Sequence, residues 1–158
     1  VGDNAAAHVA ISLAEPDEIL VVDARAHTDT AVWGGIMTRA AMQRGIAGLV
    51  IDGAVRDVAE IRELGFPVFT SGVVPAGPSK GFGGIIDGAI ACGNCPVHPG
   101  DLIIGDDDGI AVVPLARHSD LLAASLEKIS QEEATNADTA KGILPFERMG
   151  LPEPEIIG

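Results

Sequence analysis

One stretch constrains this chain more than any other: residues 35–60, GIMTRAAMQRGIAGLVIDGAVRDVAE. A glycine stands just ahead of a helical pattern in which Ile36, Ala40 and Ala41 share a face that Arg44 extends. Gly45 ends the pattern, the apolar run 47–51 reads as a buried strand, and Asp52-Gly53 reads as a turn that delivers Arg56-Asp57. Helix, stop, strand and charged pair in this order predict an α/β protein. A guanidinium beside a carboxylate just past a buried strand is where such folds place their chemistry. In the blander reading the pair is a solvated surface ion pair worth little. The spacing as a whole favours function: Gly35, twenty residues, Arg56-Asp57, two residues, Glu60.

That spacing resembles the signature of the class II pyruvate aldolases that cleave 4-hydroxy-4-methyl-2-oxoglutarate and 4-carboxy-4-hydroxy-2-oxoadipate. Their fold family also includes the regulator of ribonuclease activity A, a binding protein lacking the full acidic set. The likeness extends through IAGLVIDGAVRD, PVFTSGVVPAGPSKG and VHPGDLIIGDDDGIAVVP, roughly residues 1–135. It implies a layered β/β/α sandwich resembling the phosphohistidine swivelling domains, assembled as homotrimers or homohexamers. Residues 1–140 would form one domain and 141–158 a tail. In the family a helical segment precedes this text, so the resemblance implies a leading portion outside the sequence.

The resemblance also implies roles. Arg56 would bind the carboxylate and 2-oxo oxygen of the pyruvyl half, its planar fork matching that anion. Asp57 would hold a divalent metal cation, Mg²⁺ or Mn²⁺. The amides of Ile36 and Met37, following Gly35 at a helix start, would meet the substrate carboxylate. Glu60, one turn after Asp57, would hold a metal-bound water or orient Arg56. A glutamate late in the closing helix, Glu132 or Glu133, would reach a neighbouring protomer's site; two solvated carboxylates are the alternative. The rival function is a non-catalytic protein-binding module.

Composition narrows the partners. A net charge of −13, from 23 acidic and 10 basic residues, opposes a nucleic-acid or anionic-lipid surface. No Tyr and a single Trp, Trp33, leave little for base stacking. A small anionic 2-oxo acid is the expected ligand. No apolar run approaches a membrane span and no signal peptide is present, so a cytoplasmic protein is the default. No Lys lies in the central stretch, which disfavours a Schiff base; Lys80 is the nearest and could contact a distal carboxylate.

Elsewhere, Asp3 or Asn4 caps a predicted helix to about Leu13, with Ala5, Val9 and Leu13 on one face. Residues 19–22 read as a strand and 25–32 as an irregular loop, whose His27 and Asp29 could line the mouth of the site. Residues 57–64 fit a short helix stopped by Gly65; strands are expected at 67–69, 73–74, 84–91, 102–104 and 110–113, with a Gly/Pro/Ser loop at 72–84. A closing helix spans 115–134, with Leu122, Leu126 and Ile129 on one face; the tail is read as an extended arm or a poorly ordered end. Cys92 and Cys95, with His98, form C-x2-C-x2-H, but Pro96 and Pro99 oppose a redox helix and zinc lacks a fourth ligand, so two reduced strand thiols are expected. Asp106 to Gly109 resembles part of a calcium loop and is better read as a hairpin turn.

Overall fold

The computed structural model describes residues 2–157. Its first unit, up to Leu115, is built on two consecutive β-α-β passes. Strand β1 (Ile19–Trp33), helix α2 (Gly35–Gln43), β2 (Gly48–Val55), α3 (Val58–Leu64) and β3 (Val68–Val73) follow helix α1 (Ala5–Leu13). The three strands lie in the order β1-β2-β3, parallel throughout. Parallel neighbours need a crossover, and α2 and α3 supply it. Each helix stops where its sequence allows a left-handed residue: Gly45 has φ +79° and Gly65 φ +67°.

Trp33, Leu49, Val55 and Thr38 are the largest fully buried side chains. The three apolar ones pack in one cluster with Val32, Met37, Ala41, Ile46, Ile51, Ile61 and Phe66, and with Ile11 and Ala14 from the α1 end. Each large apolar side chain buried in this way contributes about 1.5–3 kcal/mol. Two antiparallel hairpins follow, β4 (Ile90–Cys92) with β5 (Cys95–Val97) and β6 (Leu102–Asp106) with β7 (Gly109–Val113). The second unit, from Ala116 on, carries α4 (His118–Thr139) and α5 (Pro145–Met149). No helix among the described residues is long and apolar enough to cross a membrane.

The α/β class, the α3 helix, the Asp106–Gly109 turn and the strand-borne, free cysteines agree with expectation. Several local readings are corrected. Residues 25–32 belong to β1: the strand continues through register shifts after Asp23, with Arg25 and Ala26 at φ +57° and +54°. Such bulges insert residues without ending the strand, so a polar stretch stays paired. Asp52-Gly53 is inside β2, paired with Asp23 and His27 of β1, while the register with β3 skips from Ile51 to Ala54. Residues 68–73 form one strand, not two, and 84–89 lie outside any strand.

The helix faces also differ. On α1, Ile11 is buried while Val9 and Leu13 are exposed; on α2, Met37, Thr38 and Ala41 face the core while Ile36 is 78% exposed. Leu122, Leu126 and Ile129 form a row on α4 and are exposed. The stretch read as an extended tail contains α5.

Candidate active site

The carboxyl ends of β1 and β2 bring together what the sequence separates. The Arg56 amide donates to the Trp33 carbonyl at 3.0 Å, tying the end of β2 to the end of β1. Asp57 then takes a left-handed backbone, φ +59° and ψ +35°. Asp tolerates this region better than most residues, and such outliers concentrate at functional sites. The turn leaves its carboxylate uncoupled from its own helix, α3. Asp57 Oδ2 instead accepts the Gly35 amide of α2 at 3.0 Å and lies 3.5 Å from Arg56 Nε. Both charged side chains are about 40% exposed, so the ion pair itself adds little stability.

Gly34 and Gly35 leave room for the carboxylates packed against them. A Cβ at Gly34 would stand 2.6 Å from Asp57 Oδ2, and one at Gly35 2.4 Å from Glu60 Oε2. Glu60 meets Arg39 Nε of α2 at 2.9 Å, so its ion-pair partner is Arg39, and Arg56 pairs with Asp57. Ile36 and Met37 follow at the first turn of α2, where amides have no partner within the helix and the dipole favours anions.

A cavity of about 150 Å³ opens beside this corner. Gly34, Ile36, Met37 and Arg56 line it, together with Asn4 and His8 from the α1 end and Lys80 from the Gly/Pro loop. No Asp or Glu lines it, in a chain with 23 of them. Arg56, Lys80 and His8 converging without an acid suit an anion. Asn4 is 5% exposed; its Nδ2 donates to the Val32 carbonyl at 3.1 Å, and its Oδ1 has no partner among the described residues. Buried acceptors are seldom left unpaired, which points to a ligand or water at this wall.

Sequence reasoning took Asn4 only as a helix cap and gave His8 no place at the site. Their i, i+4 spacing at one helix start was the available signal. His27 and Asp29 do not line the cavity. Glu132 pairs with Lys128 at 3.7 Å on α4. Burial pushes the Cys92 thiol up, away from a reactive thiolate.

Among the described residues no three His, Cys, Asp or Glu side chains gather into a cation shell. A divalent ion of the Mg²⁺ type keeps most of its waters and takes only one or two carboxylates. Asp57 fits that minimal set, since among the described residues only its Oδ2 is engaged by protein groups.

The Aldolase/RraA profile matches residues 1–112. The chain belongs to the Aldolase/RraA family. This Aldolase/RraA chain is 38% identical over 133 residues to a Halalkalibacterium halodurans protein named, provisionally, a 4-hydroxy-4-methyl-2-oxoglutarate aldolase. The match covers 84% of this chain and 63% of that protein, so the chain spans under two thirds of its relative's length. A Thermus thermophilus 4-hydroxy-4-methyl-2-oxoglutarate aldolase is 31% identical, with 71% of this chain and 68% of that one covered. Among solved structures, Streptomyces coelicolor RraAS2, described as an unusual member of the RNase ES inhibitor RraA family, superposes with a TM-score of 0.79 at 31% identity. That match covers 84% of this chain and 68% of the other.

Proposed function

We propose that this chain carries a divalent-metal-dependent aldolase site that cleaves a small anionic 4-hydroxy-2-oxo acid to pyruvate and a second oxo acid. The observation that carries the reading is the corner where Arg56, Asp57 and the start of α2 meet beside a largely apolar cavity into which Arg56, Lys80 and His8 enter and no acidic side chain does. Arg56 takes the substrate's carboxylate and 2-oxo oxygen in its planar fork. The Ile36 and Met37 amides meet the same carboxylate. Cleavage removes the 4-hydroxyl proton, breaks the C3–C4 bond and places that electron pair in a pyruvate enolate, later protonated at C3. The developing oxyanion is stabilised by the fixed guanidinium, a positive group already oriented before the reaction. A divalent cation held by Asp57, Mg²⁺ or Mn²⁺, would supply Lewis-acid polarisation of the same oxygen. Oxaloacetate decarboxylation passes through the same enolate and is the expected side activity.

The test is pyruvate release, by wild type and by Asp57→Ala, with Mg²⁺ and with excess chelator. Equal rates in the two proteins remove Asp57 as metal ligand; full activity in chelator removes the metal. The likeness to RraAS2 favours one rival, a non-catalytic module that docks on a protein partner. No pyruvate from any 4-hydroxy-2-oxo acid leaves that rival standing. Assembly as a homotrimer or homohexamer belongs to the same family-based proposal and is read by light scattering.

A further inference from the structure

Residues 74–89, between β3 and β4, contain no regular strand or helix, yet they build part of the cavity. Pro78 and Lys80 line it, and a Cβ at Gly77 would stand 2.9 Å from Arg56 Nη1, so the loop lies against the guanidinium. At its start the loop is tethered by the Val74 amide to the Val55 carbonyl and by the Ala31 amide to the Ala76 carbonyl. Farther along it is held from α1. Asp3 Oδ2 accepts Ser79 Oγ at 2.9 Å, the Gly81 amide at 2.7 Å and the Phe82 amide at 3.2 Å. Asp3 Oδ1 is turned the other way and accepts the Ala5 amide at 2.9 Å. The Asn4 amide reaches the Ser79 carbonyl and the Ser79 amide the Gly2 carbonyl.

We infer that Asp3 is a positioning residue: one carboxylate oxygen caps α1 while the other clamps the Ser79–Phe82 backbone, setting Lys80 and the loop's edge against Arg56. The division of its two oxygens makes the carboxylate hard to replace. Asn has one acceptor oxygen and an NH₂ that faces N–H donors, so Asp3→Asn keeps the cap or the clamp but not both. Burial cannot hold this loop, since most of residues 76–85 are exposed. Hydrogen bonds to an ionised acceptor are the strong kind and carry the task.

The Lys80–Gly81 bond is a trypsin site whose amide is the one Asp3 accepts. Cleavage needs local opening of the loop. Asp3→Asn should be cut after Lys80 at least ten-fold faster than wild type, with cleavage after Arg62 changed less than two-fold. Ser79→Ala should move the same way by two- to four-fold, which keeps the test usable if Asp3→Asn folds poorly. The kinetic arm rests on the aldolase reading: KM for the 2-oxo acid should rise at least five-fold and kcat fall by less. Lys80→Met should make Asp3→Asn nearly silent in KM, where a merely destabilising change would remain additive. If wild type releases no pyruvate, the aldolase reading fails. The clamp is then judged by proteolysis and by oxalate titration of Trp33 fluorescence, in which Asp3→Asn should weaken binding at least five-fold. Equal cleavage after Lys80, a uniform rise at every site, or unchanged KM and oxalate affinity would overturn the inference.

Discussion

Asp57 Oδ2 accepts the Gly35 amide at 3.0 Å, so a carboxylate at the start of one helix satisfies the first turn of another, twenty-two residues back. The usual economy is for such a residue to cap its own helix, and here the left-handed backbone at Asp57 prevents it. The contact holds the charged corner against α2.

Asp57→Asn retains an acceptor for Gly35 and tolerates the left-handed backbone. It should fold with a melting temperature within a few degrees of wild type, and pyruvate release should fall at least 100-fold. Asp57→Ala loses both features and should in addition cost about 1–2 kcal/mol of stability. Urea denaturation beside the pyruvate assay separates the two effects.

Gly35→Ala separates activity from stability in another way. The added methyl collides with the Glu60 carboxylate, the far end of a flexible side chain that can swing aside. Stability should drop by under about 1 kcal/mol, within the usual range for such a change. Loss of the Arg39–Glu60 geometry should lower kcat/KM ten-fold or more. Gly34→Ala meets Asp57 Oδ2 and also the Arg56 stem at 3.0 Å, and should be worse in both measurements.

Trp33 Nε1 donates to Thr38 Oγ1 at 2.9 Å, with the Thr38 side chain wholly buried. Thr38→Val keeps the shape and strands the indole N–H, at a cost of about 1–3 kcal/mol. Because Trp33 is the sole tryptophan, its emission reports both the loss of the bond and the unfolding transition.

The hydrogen bonds of the Ala5 and Gly81 amides hold the Asp3 carboxyl at about 2, below its ordinary 3.8. A folded pKa below the unfolded one means stabilisation that is complete above the unfolded value and lost as pH falls through the folded one. Wild type should therefore lose its advantage over Asp3→Asn between about pH 4 and pH 2, seen as converging melting temperatures. A constant gap down to pH 2 contradicts the assignment.

Much of this architecture was legible because its signals are local. Gly45 and Gly65 stop helices through their own backbone freedom, and Asp106–Gly109 closes a hairpin that pairs residues close in sequence. The parts misread depend on neighbours. Arg25 to Val32 look like loop residues, yet His27 and Ala31 pair with Gly53 and Ala54 of β2, so the segment stays in the strand although Arg25 and Ala26 turn left-handed. Asp52-Gly53 carries a turn signature and remains in a strand paired on both sides. On α2 the apolar Ile36 is exposed while Thr38 is buried, because Trp33 offers Thr38 a hydrogen-bond partner and Ile36 opens onto the cavity.

By itself the sequence determined which residues are the candidates for chemistry: Arg56, Asp57 and Glu60 at their spacing from Gly35, in an α/β chain too acidic to favour anionic polymers. Which groups share the cavity was decided only by the tertiary structure. Asn4, His8, Lys80 and Arg56 come from segments scattered over nearly eighty residues, and no local rule relates them. Their meeting depends on the parallel sheet setting strand ends side by side and on the Asp3 carboxylate accepting amides from a distant loop. Both are contacts between groups far apart in the chain, one of backbone with backbone and one of a side-chain carboxylate with backbone amides, which periodicity and spacing do not encode.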